Sequence, residues 1–170
     1  VALGVLNNGV AAGARWLDGS RSGYYLRGGT AAARRGVVFL QGGGLCVEPI
    51  DCLSRAKSSR GSSTKWGATW TPGTDGAQDI LSDDAGINPA FADFNHVYMP
   101  YCSGDTWTGT RLKKDPYGLN FAGPLNLLAA LAHLNATQGR GDAATESLFM
   151  GWSAGGIGTR VKILQSTFLD

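Results

Sequence analysis

Short apolar runs bounded by glycine-rich turns recur along the chain, and between the last two of them lies one longer amphipathic stretch. Runs of four to six apolar residues between turn signals have the length of strands, whereas apolar positions recurring every three or four residues over a longer window mark a helix. Residues 24–27 and 37–41 read as two strands, 96–101 as a third and 147–151 as a fourth. Gly28, Gly29 and Thr30, with Arg34, Arg35 and Gly36, read as a hairpin turn or short loop, which makes the first two strands a candidate antiparallel pair. Leu125, Leu128, Leu131 and Leu134 recur at helical spacing, and Leu127 and Ala130 widen the stripe. This helix is expected to begin near residues 121–124, where Pro124 suits a first turn, and to stop before Gly139 and Gly141. A strand, a crossover helix and a further strand make a βαβ unit, so the pattern predicts an α/β protein with parallel pairing in its later part.

Residues 53–79 show neither period and are rich in Ser, Gly, Thr and Lys, with Trp66 and Trp70 interspersed. They read as a long loop, whose tryptophans either wall a cleft as a lid does or pin the loop to the core.

With 43% hydrophobic and 16% charged residues in 170, the chain can bury one core and is too apolar to be disordered, so one domain over residues 1–170 is expected. A formal net charge of +2 gives no field that would draw nucleic acid. No stretch approaches the length needed to cross a bilayer, so stable membrane insertion is not expected. The chain opens at Val1 with neither an initiator Met nor a secretion-signal pattern, and its true beginning is expected to be missing or removed. Cys46, Cys52 and Cys102 are too few for a disulfide scaffold and lack the spacing of a zinc site. The close pair Cys46 and Cys52 either closes a short disulfide or, with Cys102, supplies small buried apolar groups. Asn135-Ala136-Thr137 is a glycosylation sequon of a kind that also arises by chance.

Chemistry enters at Gly151-Trp152-Ser153-Ala154-Gly155, a GxSxG sequence between the fourth apolar run and a further helical pattern. A serine hydroxyl becomes a useful nucleophile when a sharp strand-to-helix turn projects it above the sheet within reach of a base. The pentapeptide alone is weak evidence in a chain with 26 glycines, and its position at a strand end strengthens it. Gly42-Gly43-Gly44 directly follows the second strand, where backbone N–H groups can face a developing oxyanion beside the N–H that follows the nucleophile. Gly43, Gly44 and Ala154 are the expected donors. The alternatives for a triple glycine are a flexible turn and a phosphate loop, and no GxxxxGK[ST] pattern supports the second. A base is harder to find. His96 opens a strand and His133 lies in the amphipathic helix, both ahead of Ser153, so both read as structural.

Several segments together resemble the family of pectin acetylesterases and Notum. They are Trp16-Leu17-Asp18-Gly19-Ser20 with Gly23-Tyr24-Tyr25-Leu26, Val38-Phe39-Leu40-Gln41-Gly42-Gly43-Gly44-Leu45-Cys46, and Ile80-Leu81-Ser82. Asn88-Pro89-Ala90-Phe91, Tyr101-Cys102-Ser103-Gly104-Asp105 and Gly151-Trp152-Ser153-Ala154-Gly155-Gly156 follow in the family's order. Trp16 stands where the family usually has Cys, and Leu45 where it has an aromatic. The resemblance implies a three-layer α/β-hydrolase fold, incomplete because only 17 residues follow Ser153. It implies an acyl-serine mechanism without metal or organic cofactor, and secretion to the exterior or cell wall. Ser153 carries over as nucleophile, Gly43, Gly44 and Ala154 as oxyanion donors, Cys46 and Cys52 as a disulfide, and Asp105 and Trp107 as residues that shape the pocket. The absence of Cys at position 16 leaves Cys102 without a partner.

The function expected from this resemblance is a serine carboxylesterase that removes acetyl groups from a pectin-like cell-wall polysaccharide. The triad Asp and His are expected beyond this chain. The rival is a truncated or degenerate hydrolase that binds a glycan or a protein without catalysis.

Overall fold

The computed structural model describes residues 2–5, 13–29, 35–71, 77, 79–111, 113–138 and 146–167. Five strands form one mixed sheet: β1 (Ala2–Val5), β2 (Gly23–Arg27), β3 (Arg35–Leu40), β4 (Asn95–Met99) and β5 (Glu146–Gly151). Their spatial order is β1-β2-β4-β3-β5. β1 with β2 and β2 with β4 pair antiparallel, whereas β3 runs parallel to both β4 and β5.

The expected hairpin between the first two apolar runs is therefore not formed, because β4 lies between β2 and β3. The cause lies in the composition of β3. Val37, Val38, Phe39 and Leu40 are all buried, so both faces of the strand face apolar partners, the signature of a central strand in a parallel sheet. Pairing on both edges follows, with Val38 opposite Val97 on one side and Phe149 on the other. Residues 30–34 of the link lie outside the described residues. β1 is an addition that periodicity did not indicate.

Alternation along the strands sorts side chains onto two faces. Tyr24, Val38, Leu40, Val97 and Met99 pack with α2 (Gly123–Gln138) on one face. Tyr25, Val37, Phe39 and Tyr98 pack with Phe94, Leu81 and the two loop tryptophans on the other. In α2 the buried stripe is Leu127, Ala130 and Leu134, with Leu128 45% exposed, so the leucines spaced by three do not share one face. Each three-residue step falls about 60° short of a full turn, and only a three-then-four spacing stays on the core side. Asn126, fully buried, donates from Nδ2 to the Arg15 carbonyl at 2.9 Å. The sequon occupies the exposed last turn, where the Thr137 hydroxyl donates to the His133 carbonyl at 2.7 Å.

The loop expected from residue 53 begins later, because α1 (Pro49–Ala56) occupies its start. Pro49 opens that helix, and the Cys46–Cys52 disulfide ties it back to the turn after β3 across a Cα–Cα distance of 5.1 Å. Trp70 stacks on Tyr98 with ring centroids 3.7 Å apart, and Trp66 lies 5.5 Å from Trp16 and 5.8 Å from Tyr25. Both tryptophans thus pin the loop to the sheet.

Candidate active site

β5 ends at Gly151 and α3 (Ala154–Thr167) begins at Ala154, leaving two residues to turn the chain. Trp152 still donates its N–H to the Leu40 carbonyl at 3.3 Å, and the Ser153 carbonyl already accepts from Ile157 at 3.2 Å. So abrupt a change from ladder to helix forces Ser153 to φ 54°, a left-handed conformation that costs a non-glycine residue about 1–3 kcal/mol. The side chain is exposed in consequence. The flanking glycines are required by contact: a Cβ on Gly155 would strike the Leu40 carbonyl, and one on Gly151 would strike the Gly155 backbone.

The turn after β3 is fixed from beneath by Gln41. Its N–H donates to Met99, its carbonyl accepts from Trp107 Nε1 at 3.0 Å, and its side-chain oxygen accepts from the Tyr101 N–H at 2.8 Å. The chain then passes directly against the serine turn. A Cβ at Gly42 would collide with the Trp152 carbonyl oxygen and stand 3.0 Å from the Ser153 Cβ. Gly44, at φ 76°, faces open space. Among the described residues, the N–H groups of Gly42, Gly43, Gly44 and Ala154 donate to no protein acceptor. The structure thus brings Ser153, the triple glycine and the start of α3 to one place, with Gly42 making the closest approach.

Asp105 and Trp107 face inward. Asp105 accepts from the Ser103 hydroxyl (2.6 Å) and the N–H groups of Trp107 (3.0 Å), Gly109 (3.2 Å) and Gly123 (2.8 Å), the last being the first residue of α2. Trp107, also buried, packs against Gly158 of α3 and Gly123. Both residues are buried and support the site from below, through Gln41 and the two helices.

Neither histidine comes near the serine turn. His96 is level with Val37 on β4, three residues before the strand end, and its ring nitrogens meet the carbonyls of Leu81 (3.1 Å) and Phe91 (2.7 Å) and the Arg27 guanidinium. Burial, followed by the Arg27 charge, outweighs these carbonyls and lowers its pKa below 6.5. His133 Nδ1 pairs with the Tyr24 hydroxyl at 2.8 Å, about 15 Å along α2 from Gly123. Cys102 is free and buried, with its Sγ 3.2 Å from the Ser59 carbonyl, and burial pushes its thiol pKa up. Trp16 lies beside it, because the neighbouring Leu17 N–H donates to the Cys102 carbonyl at 2.9 Å.

A hollow of about 500 Å³ is lined by Leu148, Phe149, Met150, Gly151, Gly156, Thr159 and Arg160. It flanks β5, which pairs on one side only among the described residues, and it excludes Ser153. Beyond the triple glycine Leu45, Val47 and Ile50 are exposed, interleaved with exposed Glu48 and Asp51, and Trp152, beside Ser153, is 64% exposed.

A sequence profile of the family described as Pectinacetylesterase matches residues 1–166. The chain belongs to that family. Among relatives of this pectinacetylesterase-family chain, the Palmitoleoyl-protein carboxylesterase NOTUM of Schmidtea mediterranea is 38% identical over 149 residues, 86% of this chain and 27% of the planarian protein. The human protein of the same name is 36% identical over 149 residues, 86% of this chain and 28% of its own length. A Danio rerio relative named Inactive palmitoleoyl-protein carboxylesterase notum1b is 41% identical over 103 residues, 59% of this chain and 70% of the zebrafish protein. The solved structure of the Wnt deacylase Notum from Drosophila matches with a TM-score of 0.84 at 30% identity, covering 100% of this chain and 48% of that one. The fold is accordingly an α/β-hydrolase fold in part, and the chain spans about half of the solved fly chain and under a third of the planarian and human proteins. The Cys46–Cys52 disulfide implied by the family resemblance is formed, a bond typical of oxidising, extracellular compartments.

Sequence reasoning missed Gly42 as the point of closest approach, and Gln41 as the anchor beneath it. It also missed Arg55, whose Nη2 donates to the Gly43 carbonyl at 2.6 Å. Gly42 was legible as part of the triple glycine, whereas nothing in the spacing marked Gln41 or Arg55.

Proposed function

We propose that this chain carries the nucleophile and oxyanion half of a serine carboxylesterase that cleaves esters of aliphatic acyl groups. The observation that supports it most is the approach of Gly42 to Ser153, which sets an exposed hydroxyl beside backbone donors that no protein acceptor uses among the described residues. Ser153 Oγ attacks the ester carbonyl, and the carbonyl oxygen takes the negative charge. The amides of Gly43, Gly44 and Ala154 stabilise that charge, the last helped by its place at the N-terminus of α3. The alcohol then leaves as the acyl-serine forms, and water releases the acid. The base that accepts the serine proton, with its orienting carboxylate, belongs after Ser153 in the order of this fold class.

The aliphatic acyl preference is supported by the exposed Leu45, Val47, Ile50 and Trp152 around the triple glycine. Relatives named palmitoleoyl-protein carboxylesterases support it as well. Acetyl esters of a pectin-like polysaccharide are supported by the family's own description. The family resemblance and the disulfide support secretion as the setting for either substrate.

The test is a series of p-nitrophenyl esters from acetate to decanoate, assayed on the native full-length product, together with fluorophosphonate labelling. Turnover that rises towards octanoate and vanishes in Ser153→Ala is the expected result. A maximum at acetate would favour the polysaccharide substrate, and turnover surviving Ser153→Ala would refute the nucleophile.

A non-catalytic role is the second reading, favoured by the likeness to the zebrafish relative named inactive. A native product that neither labels nor turns over any ester of the series would select it.

A further inference from the structure

Arg55 lies outside every motif of the chain, yet its side chain ends on the turn that faces Ser153. It occupies the last turn of α1, and its stem passes Gly104, where an added Cβ would lie 3.6 Å from Arg55 Cδ. Its guanidinium lies over the Tyr101 ring, 5.1 Å from the centroid, and donates to the Gly43 carbonyl at 2.6 Å. Among the described residues Arg55 makes no ion pair. Its Nε is buried without a partner. The charge is therefore directed at one peptide group. Two neighbours hold the arrangement in place: the Tyr101 hydroxyl accepts from the Thr106 N–H at 2.5 Å, and the Cys46–Cys52 disulfide ties α1 to the chain just after Gly44.

A trans peptide is planar, with its C=O and N–H pointing in opposite directions. Holding the Gly43 oxygen towards Arg55 aims the Gly44 N–H away from α1. A cation on the oxygen also polarises the peptide and strengthens that N–H as a donor. We infer that Arg55 is a positioning residue for the oxyanion hole, clamping the Gly43–Gly44 peptide so that the Gly44 amide meets the charge formed on the substrate. Glycine at position 43 fits the clamp, since a Cβ there would lie 3.0 Å from the Tyr101 ring and 3.2 Å from the guanidinium.

This inference rests on the esterase reading and is tested with it on the native full-length product. Arg55→Met keeps the stem and removes the donor, and Arg55→Lys restores a charged donor. In Arg55→Met, kcat is expected to fall about ten- to a hundredfold, short of the roughly 10²–10³ that follows loss of an oxyanion donor itself. KM should change by less than about twofold, because the amide acts on the transition state and not on the bound ester. Affinity for a trifluoromethyl ketone, which forms the tetrahedral adduct, should weaken in parallel with kcat, and Arg55→Lys should recover part of both. Unchanged kcat in Arg55→Met overturns the clamp, as does a fall in kcat with unchanged affinity for the ketone. A wild-type protein that neither turns over ester nor labels at Ser153 refutes the esterase reading itself, and the clamp with it.

Discussion

Gly42 lies so close to Ser153 that a Cβ on it would come within 3.0 Å of the serine Cβ. The contact joins the turns that follow β3 and β5, and it exists because those strands are neighbours with Leu40 opposite Gly151. Gly42→Ala is expected to force the two turns apart, destabilising the fold by about 1–3 kcal/mol as overpacking does and reducing kcat/KM more than tenfold. Gly28→Ala, where nothing lies within 4 Å, should leave both quantities near wild type. Urea denaturation and ester turnover on the two variants would check the contrast.

The turn holds Ser153 in a left-handed backbone at φ 54°. Ser153→Gly is therefore expected to be more stable than Ser153→Ala by about 1 kcal/mol, because glycine adopts that conformation without the Cβ penalty. Both should lack turnover. Equal urea midpoints for the two would refute the account of strain.

Asp105 gathers four donors, one of them the first N–H of α2. Asp105→Asn replaces one acceptor oxygen by an N–H₂ that faces another N–H, and removes the negative charge from a helix start. A loss of about 2–3 kcal/mol is expected. Trp107, held by the same carboxylate and bonded to Gln41, should change its fluorescence in the native state. An unshifted spectrum with wild-type stability would rule out this role for Asp105.

His96 is buried, and its folded pKa lies below 6.5. The unfolded chain then takes up its proton first on acidification. The stability contributed is fully present above about pH 6.5 and is lost as pH falls through the lowered folded value. Tyr101 has the opposite sign. Burial, with a further push from Asp105, pushes it from 10.0 up to about 12 against the Thr106 hydrogen bond and the Arg55 charge. Stability is thus unaffected below about pH 10 and falls between there and about pH 12. Urea midpoints across pH should show both limbs, with the acid limb flattened in His96→Gln and the alkaline limb flattened in Tyr101→Phe.

Local chemistry and the parallel later part of the sheet were legible in the chain, and the order of the strands was not. The serine turn announces itself because Gly151, Ser153 and Gly155 fall within one pentapeptide, although the contact that demands Gly155 is with Leu40 on the neighbouring strand. α2 was legible in extent, and its buried face was not, since leucines spaced by three wind around a helix while Leu127, Ala130 and Leu134 stay on one side. The neighbours of β3 are set by burial on both its faces, a tertiary property that the glycines at 28, 29 and 36 obscured by imitating a hairpin. α1 has only eight residues and opens on Pro49 beside two cysteines, so turn signals outweighed its short helical pattern. Arg55 could not be found without coordinates, because its partner is a main-chain carbonyl twelve positions earlier.

Trp16 changes what a reducing agent can do to this molecule. Trp16 shares one core cluster with Cys102, so the segment around Leu17 is joined to the chain after β4 by packing and a main-chain hydrogen bond. Among the described residues Cys102 is unpaired and Cys46–Cys52 is the one covalent crosslink. Within the described residues, thiols therefore act at a single address, the tether between α1 and the bend facing Ser153.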